Sequence, residues 1–108
     1  MSKHYEKEFK VGDYNFKSRK LDIFEFNAFK TTFGLAIDEG NDTKLAKSYK
    51  TLFSWLQYEV TPGTFVPAMD KVSGAFILPA LEDLDYADEV IQAMLEHIVK
   101  PLFLKSTD

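Results

Sequence analysis

LAKSYKTLFSWLQYEV, residues 45–60, decides how the rest of the chain is read. Leu45, Tyr49, Leu52, Phe53, Leu56 and Val60 recur at i, i+4, i+7, i+8, i+11 and i+15, the spacing of one face of an α-helix. Asp42 or Thr43 can cap its start by accepting a hydrogen bond from an unpaired backbone N–H, and Pro62-Gly63 stops it. A helix over 43–60 that buries those six side chains gains about 9–18 kcal/mol, an upper bound because the unfolded chain already hides some apolar surface. Trp55 and Tyr58 fall off this stripe. Two large aromatics there need either a second packed layer, which the apolar stretch 61–84 can supply, or a partner. Both readings stay open at this point.

Working outward, residues 85–99 carry a second clear stripe of Ala87, Val90, Ile91, Met94, Leu95 and Ile98, with Asp83 or Asp85 at the end where negative charge suits the helix dipole. Pro101 ends or bends this helix. Residues 61–84 hold three of the four prolines, yet Phe65, Val66, Phe76, Ile77 and Leu78 are too apolar for solvent. They predict an ordered lid across the helices, with at most a short helical turn. Upstream, Asp22 and Glu25 have capping-box spacing and open a helix over 22–38, with Ile23, Phe26, Phe29, Phe33, Ala36 and Ile37 on its core face. Phe24 and Leu35 point elsewhere. Residues 4–21 read as a β-hairpin about Gly12-Asp13, a type II′ turn with Phe9 facing Phe16 and Val11 facing Tyr14. Glu8 then pairs with Lys17, and Glu6 with Arg19, on the other face. Two strands are marginal in water, so the Phe9/Phe16 face must lie on helices. The expected fold is a single α+β domain over 1–108, mostly α: an N-terminal hairpin packed on a bundle of three main helices, with an ordered Pro/Gly-containing apolar connection.

A chain of 108 residues, 45% hydrophobic and with ten phenylalanines, has enough apolar material for one core. A net charge of −4 argues against broad phosphate-backbone binding, leaving Lys17, Arg19 and Lys20 as a small basic patch. No cysteine means no disulfide and no thiolate site. MSKHYEKEFK lacks the apolar centre of a signal peptide, and no run reaches membrane-spanning length, so the expected location is the cytoplasm.

Chemistry is sparse. His4 and His97 are isolated, which gives no metal-ligand spacing. The run Glu82-Asp83-Leu84-Asp85 reads as helix N-terminal charge, without the alternating ligands of a calcium loop. No activated nucleophile, GxGxxG or P-loop lysine is present, so no catalytic residue, metal ligand or cofactor is assigned. The remaining signal is an apolar patch around Phe24, Trp55 and Tyr58, of the kind that marks a partner site.

The opening of the chain, Phe9 to Phe26, is a short hairpin running directly into a helix. Trp55 to Val60 is followed by Thr64-Phe65-Val66-Pro67, and the chain closes with Phe103 to Ser106. In this order the features resemble the tail assembly chaperones of long-tailed bacteriophages. Phe65 stands where that family commonly has Trp. The resemblance implies a non-enzymatic factor that coats the tape-measure protein and helps recruit tail-tube subunits in the host cytoplasm, then leaves before the virion is complete. It also implies possible self-association, and no binding to nucleic acid or membrane. Phe24, Trp55, Tyr58, Phe65, Val66 and Phe103 are the expected partner-binding residues. The alternative is a small phage or prophage regulator that binds a host protein or nucleic acid.

Overall fold

A computed structural model describes residues 7–100. His4, Glu6 and residues 101–106, including Phe103, lie outside them. Among the described residues, three helices pack with one four-stranded antiparallel sheet whose strands run β1-β2-β3-β4 in both sequence and space.

Strands β1 (Phe9–Val11) and β2 (Tyr14–Ser18) form the expected hairpin, with Phe9 opposite Phe16 and Val11 opposite Tyr14. Gly12 takes φ +60° and Asp13 stays at negative φ, as type II′ requires and type I′ forbids. Phe9, Val11 and Phe16 are buried on the inner face, with the Phe9 and Phe16 rings stacked at 5.8 Å. On the other face the expected Glu8–Lys17 pair does not form, and the Glu6–Arg19 pair involves a residue outside those described. Lys17 sits 4.6 Å from the centre of the Phe65 ring, while Arg19 donates to Glu25 through Nη1 (3.1 Å) and Nη2.

The main correction concerns residues 43–60, which are two elements. Helix α2 (Asp42–Trp55) ends at Trp55, and Leu56 turns into extended backbone (φ −73°, ψ 136°) to open β3 (Leu56–Thr61). Leu56, Tyr58 and Val60 alternate with polar residues and so satisfy a period of 2 as well as the helical period. Pairing with β2 settles the choice. It sets Leu56 beside Ser18 and Tyr58 beside Phe16, and extends the two-stranded ribbon into a sheet.

Pro62-Gly63 is therefore a hairpin turn rather than a helix stop. Gly63 has φ +83°, the third-residue geometry of a type II turn. Such a turn does not match the strand twist, and a register shift between Glu59 and Thr61 accompanies it. The Glu59 carboxylate accepts from Asn15 Nδ2 and from the Gly63 N–H, each at 2.8 Å. Those two bonds, the Asn15 one first, hold its pKa below the usual carboxylate value. β4 (Thr64–Pro67) is the outer strand. Ala68 donates to the Leu56 carbonyl at 3.0 Å, so by alternation the nitrogen of Pro67 faces the open edge, where a missing N–H breaks no pairing.

The remainder of 61–84 is the expected lid in part. Ala68, Met69, Leu78 and Leu81 are buried, a Met69–Phe76 bridge closes the loop between them, and one 3-10 turn spans Pro79–Glu82, but Ile77, expected inside, is 47% exposed.

Helix α1 (Ile23–Glu39) starts at Asp22, which accepts from Glu25 N at 2.8 Å while Glu25 bonds back to Asp22 N. Its inner face is narrower than expected. Phe29 and Ala36 are buried and Phe33 half-buried, but Ile23 and Ile37 are 66% and 59% exposed, since among the described residues α1 packs mainly on α2. The α2 cap is Asn41, accepting from Lys44 N at 3.0 Å; Asp42 and Thr43 already lie inside the helix. Helix α3 (Leu84–Met94) is capped by Asp83 and continues as one π-helical turn, Leu95–Val99. Val90, Ile91, Met94 and Ile98 are buried, as the stripe predicts.

Glu25 serves both the cap and Arg19. The hydrogen bond from Arg19 is the main cause holding its carboxyl below the ordinary value. Glu25→Ala is expected to cost about 0.5–1 kcal/mol at neutral pH, measured by thermal unfolding, since the Asp22 cap bond survives and the Arg19 ion pair is lost. A depressed folded-state pKa means the native state favours the ionised form. The contribution is thus complete above the unfolded pKa and disappears as pH falls through the folded one, so the gap between wild type and Glu25→Ala should close in acid.

Candidate partner-binding site

The expected site residues do not converge. Trp55 is 1% exposed, its ring edge-on to Phe29 at 5.0 Å and its carbonyl accepting from Arg19 N at 2.8 Å. It is core, and an exposed-anchor role for it is corrected. The physical reason is the helix end: as the last residue of α2, Trp55 is wedged between α1 and the start of β3. Tyr58 is half-buried on the inner sheet face, edge-on to Tyr14 at 6.3 Å and opposite Val66, itself half-buried. Phe65 projects from the opposite sheet face beneath Lys17. Phe24 lies far from these on the outside of α1, 80% exposed.

What the structure does bring together is an open apolar groove of about 530 Å³ between α2 and α3. Phe53, Leu81 and Ile91 are buried and form its floor, while Tyr49, Phe76 and Ala87 are half-buried and form its sides. Phe53 and Phe76 meet edge-on at 5.1 Å, which fixes the floor against one wall. Leu84 stands at the mouth, 85% exposed, with Glu82 and Asp88 at the rim.

A second depression, lined by Phe33, Leu95 and Val99, continues past the same side of α3. Leu84, Asp88, Ile91 and Leu95 fall at i, i+4, i+7 and i+11 and link the two along one helix face. Eleven residues at helical rise make this path about 16 Å long, close to three turns of a helix laid against it.

Apolar floor, exposed leucine and acidic rim suit an amphipathic helix with basic flanks, held by burial and oriented by charge. Among the described residues no three or more His, Asp or Glu are grouped to hold a metal ion, and no helix is long and apolar enough to cross a membrane.

Tyr49, Phe53 and Ile91 were visible in the sequence only as core-stripe members. Their role as groove lining depends on no described residue covering them. Leu84 did carry a signal, because it precedes Ala87 by three residues and Ile91 by seven and so widens the apolar arc beyond what the core of α3 uses. Comparison with protein-family models, curated proteins and solved structures finds no match to this chain.

Proposed function

We propose that the protein is a non-catalytic tail assembly chaperone of the long-tailed phage type, working in the host cytoplasm and absent from the finished virion. It holds apolar helical segments of a tape-measure protein and helps recruit tail-tube subunits. The observation that carries this reading is the acid-rimmed groove of Tyr49, Phe53, Phe76, Leu84 and Ile91, joined to the resemblance in the order of sequence features. Long tape-measure chains present many similar helical faces, and a groove that reads apolar stripes rather than single side chains tolerates that variety.

Leu84→Asp and Asp88→Lys test it. Both residues are exposed, so the fold should survive, as circular dichroism would verify. The first change puts charge in the apolar mouth and the second reverses the rim. Co-expressed with the tape-measure protein, wild type should keep the latter soluble, and each variant should lower the co-purified fraction about tenfold, the equivalent of about 1.4 kcal/mol. Wild type that leaves the tape-measure protein insoluble overturns the reading. Binding to DNA that weakens steeply with salt would favour the regulatory alternative instead.

A further inference from the structure

Where the end of β2, the end of α2 and the start of β3 meet the lid, the structure forms a separate cavity of about 260 Å³. Trp55, Leu56 and Met69 are buried and make its apolar floor, while Pro67 and Ile77, both exposed, stand at its mouth. Backbone hydrogen bonds hold the frame. Arg19 N donates to the Trp55 carbonyl at 2.8 Å, Ala68 N to the Leu56 carbonyl at 3.0 Å, and Ile77 N to the Ala68 carbonyl at 2.7 Å. A site framed in this way is formed before any ligand arrives.

The polar part of the wall is unevenly satisfied. Arg19 gives Nη1 and Nη2 to Glu25, but its Nε is buried with no acceptor among the described residues. The half-buried Gln57 amide and the exposed Lys71 ammonium make no hydrogen bond or ion pair among the described residues either. The one carboxylate in the wall, Asp70, is turned on its own loop, where Oδ1 accepts from Val72 N at 2.8 Å and Ser73 N at 3.4 Å. What is left over is one positive charge and one unpaired amide beside an apolar floor.

We infer that this cavity binds a small monocarboxylic acid whose apolar part is about the size of one aromatic ring. About 150 Å³ is enough to hold benzene, and drug-sized ligands need about 300–1,000 Å³, so this volume takes one ring with its carboxylate and little more. The ring lies on Trp55 and Met69, and the carboxylate meets the Lys71 charge and the Gln57 amide N–H. A dianion such as phosphate is disfavoured, because Asp70 offsets part of the positive charge and the apolar floor gains nothing from it. The cavity shares no lining residue with the groove between α2 and α3, so the inference stands apart from the client proposed above.

The probe is hydrocinnamate, titrated into the whole chain and followed by the side-chain N–H signals of Gln57 and of Trp55, the only tryptophan, in nitrogen–proton NMR spectra. Saturable shifts of both are expected, with a dissociation constant of about 0.1–1 mM. Hydrocinnamide, the uncharged analogue, should bind at least about tenfold more weakly, and Lys71→Glu should weaken the acid by a similar factor. Gln57→Ala should weaken it about fivefold. Lys10→Glu, an exposed charge reversal on the hairpin, and Leu84→Asp in the groove should leave the affinity unchanged. No shift up to about 10 mM acid overturns the inference, as does equal affinity for acid and amide or indifference to Lys71→Glu. A peptide ending in a free Phe carboxylate that binds where hydrocinnamate does not also overturns it, in favour of a protein terminus. Each of these results leaves tape-measure solubilisation, the readout of the groove, untouched.

Discussion

Trp55→Ala is expected to cost about 3–5 kcal/mol, the range for deleting a large aromatic from a packed core. At 1% exposure it loses nearly all of its buried surface, together with the edge-on contact to Phe29. Collapse of the cavity is resisted on two sides. The Arg19 N–H bond to the Trp55 carbonyl ties the start of β3 to the end of β2, and Leu56 is itself buried. Domains of this size are stable by about 5–15 kcal/mol, so the variant should be near its limit and its midpoint lower by roughly 15–30 °C. Trp55 is the only tryptophan, so the transition must be followed by far-ultraviolet circular dichroism rather than by indole fluorescence. Phe24→Ala is the control: at 80% exposure it should change monomer stability by about 0.5 kcal/mol or less. A Trp55→Ala protein with an unchanged midpoint would return the residue to the surface and undo the assignment of α2's end.

That end is where sequence and structure part. The Phe9/Phe16 hairpin, the Asp22/Glu25 capping box and the Val90–Ile98 stripe were legible because each is local: a turn residue, a cap and a single period contained in one segment. The switch from helix to strand at Leu56 is not local. Residues 56–60 fit both periods, and the backbone bonds that favour the strand come from β2, some forty residues earlier in the chain. A cue lay in Pro62-Gly63 followed by Thr64-Phe65-Val66, which has the form of a second hairpin, but a helix stop uses the same two residues. One misread boundary then displaced the site. Placed off the stripe of a helix, Trp55 and Tyr58 fit a second packed layer and a surface anchor equally, while the residues that line the opening between α2 and α3 read as core, since sequence periodicity records which side chains are apolar and not which faces remain uncovered.

Gly12→Ala should be the other severe substitution, at about 2–4 kcal/mol, from two separable causes. The first is the backbone. A Cβ at φ +60° in a type II′ turn is strained whatever surrounds it, and the hairpin register depends on that turn. The second is Tyr86, since a Cβ at residue 12 would stand 3.1 Å from Tyr86 Cε1. The ring cannot simply retreat, because its hydroxyl donates to the Val11 carbonyl at 2.6 Å and joins the N-terminus of α3 to β1. Burial is the leading cause that pushes this phenol's pKa up to about 12, which keeps it protonated as a donor across the ordinary pH range. A double-mutant cycle on chemical denaturation separates the causes. In a Tyr86→Ala background the steric part vanishes, and Gly12→Ala should then cost only the backbone share, about 1–3 kcal/mol. An unchanged cost in that background would mean that the ring yields freely and the turn alone excludes a side chain. A cost that falls to nothing would mean that residue 12 tolerates a Cβ in this turn, and that the glycine is there to let α3 close over the hairpin.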